Sequence, residues 1–82
     1  MIELKLFTRR DCELCREMES EISALLPRFE VQIDRVEIDG NPELEAEFGL
    51  EVPVLFVNGR KAFKYRCGAA ELLRRLEREE RG

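Results

Sequence analysis

The feature that most constrains this chain is the pair Cys12 and Cys15 in RRDCELCREM, set where a strand pattern turns into a helical one. Ile2 to Phe7 alternate apolar and charged residues before ending apolar at Leu6 and Phe7, the signature of a strand entering a core. Thr8 to Asp11 read as a polar turn, with Asp11 expected as the N-cap of a helix. Leu14, Met18, Ile22 and Leu25 then recur at helical spacing until Pro27 stops the run. Cys12 is therefore expected in the first turn of a helix, where free N–H groups and the positive end of the helix dipole favour a thiolate. Cys15, three residues on, lies on the same side one turn deeper. A mixed disulfide on Cys12 would stand within its reach, so the spacing suits thiol–disulfide exchange.

Two other uses of the pair stay open. A zinc site needs four ligands, and the chain offers no histidine and only one further thiol, Cys67. Closure would require a carboxylate or a second subunit, and an iron–sulfur cluster ligated through Cys12 would be shared between two subunits. The remaining alternative is plain packing. No metal ligand is assigned.

The rest of the chain supplies a frame for the pair. Val31 to Ile38 form a second strand pattern, and DGNPELEAEFGL reads as a short helix capped by Asn41, with Pro42 in its first turn and Gly49 at its end. VPVLFVNGRKAFKY places two apolar runs either side of Asn58-Gly59, a strong hairpin signal. Ala69, Leu72, Leu73 and Leu76 mark one face of a last helix. The order is β-α-β-α-β-β-α, an α/β class in which the first half is a parallel βαβ unit and the second adds an antiparallel hairpin. Eighty-two residues are expected to form one domain, 1–82. Phe7, Phe29, Phe48 and Phe56 are expected in the core, and Phe63 and Tyr65 are expected to cover the sheet, with lining a substrate groove as the alternative.

Charge and hydropathy narrow the function. The net charge is −4, and the basic residues do not gather on one segment, so no cationic stripe for nucleic acid is expected. No apolar run approaches the ~20 residues that span a bilayer. The start, MIELKLF, lacks the basic and continuous apolar blocks of a secretory signal. A cytoplasmic, monomeric protein with reduced thiols is the expectation.

KLFTRRDCELCREM together with VEIDGNPELEAEFGLEVPVLFVNG resembles the thioredoxin-fold proteins, and among them the small glutaredoxins, over Ile2 to about Leu76. The resemblance rests on Cys12 and Cys15, the V-x-x-D segment before a short helix, and Val52-Pro53 opening the third strand. It implies a thioredoxin fold with a central four-stranded mixed sheet and a disulfide oxidoreductase. Cys12 would be the attacking thiolate, Cys15 the resolving thiol, and Val52 with a cis Pro53 the shelf that meets a substrate backbone by strand addition. Arg9, three residues before Cys12, matches the family's basic position for a glutathione carboxylate. Glutathione-using members usually read C-P-Y-C and carry a Gly-Gly pair before the last helix. This chain reads Cys12-Glu13-Leu14-Cys15, and Phe63-Lys64-Tyr65-Arg66 at the matching distance from Pro53. Glutathione as co-substrate and a thioredoxin-type reductase system thus both stay open, with a disulfide-bearing protein or small thiol as partner and no bound cofactor. One alternative is a dedicated electron carrier for a single partner. The topology is also expected to bring Cys67 near Cys12, as a third thiol or as a packed small residue.

Overall fold

A computed structural model describes the whole chain, Met1–Gly82. The elements run β1 (Ile2–Thr8), α1 (Glu13–Leu25), β2 (Val31–Glu37), α2 (Pro42–Phe48), β3 (Val54–Val57), β4 (Arg60–Lys64) and α3 (Ala69–Arg81), the expected order. The four strands form one mixed sheet in the order β2-β1-β3-β4. β1 pairs parallel with β2, while β3 runs antiparallel to both β1 and β4.

Strand alternation splits the core into two layers. Ile2, Leu4 and Leu6 of β1 join Leu55 and Val57 of β3 against Met18, Ile22 and Leu25 of α1 and Leu72 and Leu76 of α3. On the other face, Phe7 and Val54 meet Phe48 of α2 together with Ile38, Val52 and Cys15. Phe7 stacks on Phe48 with centroids 4.3 Å apart, and Phe56 meets both rings edge-on. Phe29 packs against the first layer, so all four expected core phenylalanines are apolar contacts.

Turn chemistry holds the frame. Asn58 and Gly59 take φ of 48° and 82°, the left-handed values a two-residue hairpin demands. Asn58 also accepts the Glu3 N–H at 2.9 Å and donates to Glu79 at 2.7 Å, tying the hairpin to β1 and α3. No helix is long and apolar enough to cross a membrane.

Candidate redox site

β1, β2 and the loops after them build the site from below. Thr8 O receives the Ile38 N–H at 2.8 Å, carrying the parallel pairing one residue beyond β2. The Asp39 carboxylate then accepts the Arg10 N–H at 3.0 Å and faces the Arg10 guanidinium at 3.6 Å. This clasp fixes the β1–α1 loop immediately before its sharpest turn, at Asp11, which adopts φ of 53°.

The turn corrects the expected cap. Asp11 is in a left-handed conformation and does not cap α1; Cys12, extended at φ −118° and ψ 108°, does. Its Sγ accepts the Cys15 N–H at 3.2 Å. The preference of aspartate for N-caps is overridden because the loop needs a residue that tolerates the left-handed region at position 11, and aspartate does. Cys12 and Cys15 are joined as a disulfide with Cα atoms 5.2 Å apart. Cys15 is buried and Cys12 half-buried, so the outer sulfur belongs to the residue nearer the strand.

Val52 shares an apolar cluster with both cysteines, and the Val52–Pro53 bond is cis. The shelf differs from the expected form in one respect. The Val52 N–H is engaged by Phe48 O at 3.0 Å, leaving only the Val52 carbonyl without a partner. Pro53 O in turn accepts the Tyr65 N–H at 2.9 Å. At Val52 the backbone thus offers one open acceptor and no free donor.

Among the flanking charges, Arg16 donates to Glu13 at 2.8 Å, and that hydrogen bond raises its pKa, with the Glu13 charge adding to it. Arg10 faces Glu37 and Asp39. Arg9 forms no ion pair; one guanidinium nitrogen lies where a Cβ on Gly49 would come within 3.3 Å, at the end of α2. Of the three arginines flanking the cysteines, only Arg9 is free to meet an anion.

Cys67 is free and half-buried. It packs against the α1–α3 layer and shares a groove with Leu14, Glu17 and Glu21 of α1. Burial, with Glu21 and Glu71 nearby, pushes its thiol up to about 11, so it stays protonated at neutral pH. Phe63 packs on the core as expected, whereas Tyr65 is 42% exposed and lines that same groove. For Tyr65 the groove-lining alternative holds, and its φ is 66°.

No group of three or more Cys, Asp or Glu side chains gathers at metal-holding distance within the chain. A groove of about 640 Å³ between β4 and α3 is lined by Ala62 and Phe63 and by charged residues of α3 of both signs, among them Glu71, Arg74, Glu77 and Arg78; it shares no residue with the dithiol's surroundings.

A paired dithiol at a helix start, beside a cis X-Pro bond on a four-stranded mixed sheet, is the frame that a glutaredoxin-like domain model (DUF836) matches over residues 3–77. The chain belongs to this glutaredoxin-like family. It is 30% identical over 64 residues to the uncharacterized protein Rv0508 of Mycobacterium tuberculosis, a match covering 72% of this chain and 66%, just under two thirds, of that protein. The solved structure of protein XcR50 from X. campestris superposes with a TM-score of 0.71 at 33% identity, covering 92% of this chain and 96% of that one. Mitochondrial thioredoxin 3 from Saccharomyces cerevisiae, in its oxidized form, gives 0.69 at 15% identity over 94% and 77% of the two chains, a likeness of fold alone. The glutaredoxin-like domain therefore has the thioredoxin fold, and a cysteine pair placed for redox chemistry.

Proposed function

We propose that this glutaredoxin-like chain is a thiol–disulfide oxidoreductase. The observation that carries the reading is that Cys12 caps α1 with its own sulfur while Cys15 is close enough to bridge it. The Cys12 thiolate attacks one sulfur of a partner disulfide; that S–S bond breaks, its second sulfur leaves as a thiolate, and a mixed disulfide forms. Cys15, as thiolate, attacks the Cys12 sulfur and expels the partner's other thiolate. Two electrons have moved to the partner, its thiolates have taken up the two protons lost by the dithiol, and the chain holds the Cys12–Cys15 bridge. The Cys15 N–H and the helix start support the thiolate form of Cys12.

Val52 and Pro53 would shelve the partner backbone through the open Val52 carbonyl, and unpaired Arg9 would meet an anionic group beside it. No resident cofactor is needed. The dithiol would be restored in a reducing cytoplasm by a glutathione or thioredoxin-type reductase system.

The test is turnover of insulin, and of a small disulfide, coupled in turn to each reductase system. Cys12→Ser should abolish turnover, and Cys15→Ser should accumulate a mixed disulfide on Cys12. Full activity of Cys12→Ser would refute the assignment. Turnover confined to a single cellular partner would identify a dedicated carrier instead.

A further inference from the structure

We infer that Glu51 is the positioning residue of the partner shelf. By holding Lys61 and Lys64 of β4 it fixes the place of the Val52 carbonyl, and so governs partner binding without touching either sulfur. This rests on the oxidoreductase reading and adds to it the group that aligns the partner backbone.

The first observation is how the carboxylate is held. Lys61 Nζ donates to one Glu51 oxygen, and Lys64 Nζ lies 3.7 Å from the other. Glu51 is the one carboxylate in the chain paired with two cations. Its side chain is 28% exposed, against 60% for Glu37 and 78% for Glu13 in their pairs with arginines. The Lys61 hydrogen bond holds its pKa below the ordinary carboxylate value, against some desolvation, so it stays charged at neutral pH.

The second observation is how β4 brings both lysines to it. Lys61 and Lys64 are three residues apart, and on a regular strand they would face opposite sides of the sheet. The pairing of β3 with β4 slips between Leu55 and Phe56: Leu55 meets Phe63 and Phe56 meets Lys61, which leaves Ala62 over. An extra residue of this kind re-aims the side chains beside it. Both ammonium groups therefore reach one carboxylate.

The third observation is position. Glu51 directly precedes Val52-Pro53, the cis dipeptide that shares a cluster with the cysteines. The Glu51 and Val52 N–H groups both donate to Phe48 O, at 2.8 and 3.0 Å, and Pro53 O accepts the Tyr65 N–H at 2.9 Å. Helix α2 thus holds the segment from one side, and β4 with the residue after it from the other. Between these ties the Val52 carbonyl stays open. An ion pair this near to solvent contributes little to stability. What it removes is freedom of the segment, and an acceptor fixed in advance spares an incoming strand the cost of ordering it.

Kinetics on a peptide disulfide with uncharged flanking residues tests this, because lysines released from Glu51 find no charge on it to attract. Glu51→Ala should raise KM about fivefold, the scale of one hydrogen bond, and leave kcat nearly unchanged. Alkylation of reduced Cys12 by iodoacetamide, which is too small to use the shelf, should keep its wild-type rate. Glu51→Gln retains an oxygen for Lys61 and should fall between wild type and Glu51→Ala. Lys61→Met should also raise KM, and adding it to Glu51→Ala should change little, since both remove one contact. An unchanged KM in Glu51→Ala overturns the inference. So does an alkylation rate that falls with it, because the residue would then act through the dithiol or the whole fold. Binding is read separately by calorimetric titration of the same peptide with serine replacing its cysteine. Its Kd should weaken about fivefold in Glu51→Ala. Binding that depends on Glu51 without any turnover would sink the oxidoreductase reading alone. Turnover with KM and Kd indifferent to Glu51 would sink the positioning role alone, and a wild type that neither binds nor turns over the peptide would sink both.

Discussion

Asp39 offers the sharpest test of how the fold aims its dithiol. Asp39→Ala removes the acceptor for the Arg10 N–H at 3.0 Å and the contact with the Arg10 guanidinium at 3.6 Å. The Asp39 side chain is 28% exposed, so solvent brings the bond to its charged acceptor down to that of an ordinary hydrogen bond, about 1 kcal/mol. The guanidinium contact adds only a few tenths of a kcal/mol, because the Arg10 side chain is 71% exposed. For a chain of 82 residues a loss of about 1 kcal/mol lowers the melting temperature by roughly 4–8 °C. The same change slackens the loop before Asp11, so in the reduced protein Cys12 should react more slowly with iodoacetamide. Asp39→Asn keeps an oxygen that accepts the N–H and should retain at least half of both properties. Arg10→Ala leaves the backbone donor and should be nearly neutral. If Asp39 acted only through its charge, Asn and Ala would behave alike and both would speed alkylation by removing a negative neighbour. That outcome would refute the clasp.

Packing and burial set two more expectations. Leu76→Ala empties a fully buried site between α3 and the sheet and should cost 2–5 kcal/mol, read as a lower denaturation midpoint with an unchanged slope. The Cys67 thiol, raised to about 11, binds its proton more tightly folded than unfolded. Its contribution is thus fully present below the unfolded thiol range and lost as pH climbs toward 11. Between pH 9 and 11 the wild type should lose stability more steeply than Cys67→Ala, and equal slopes would contradict this.

The frame was legible because its signals are local. Asn58-Gly59 announced the hairpin, the leucine spacing announced α1 and α3, and their order implied the fold. The site was legible in its cysteines, proline and the placement of Cys12 near a helix start. What stayed hidden depends on partners distant in sequence. Asp11 looked like the better cap until the left-handed turn moved that task to Cys12. The Val52 N–H looked open until α2 brought Phe48 O beneath it. The resemblance singles out Arg9 from Arg10, but only the fold shows that Arg10 has carboxylate partners and Arg9 has none. Tyr65 sits one residue past β4, where a φ of 66° that no linear pattern announces sets its backbone apart from the strand.

The sulfur that would do the chemistry also terminates a helix. It accepts the Cys15 amide even while bonded to a second sulfur, so the first turn of α1 keeps its cap when the pair is bridged. Serine at this position conserves an oxygen able to hold the same amide, whereas alanine unravels the turn and silences the thiol together. A loss seen in the serine variant is therefore attributable to reactivity, and the gap between serine and alanine measures what the cysteine contributes as architecture.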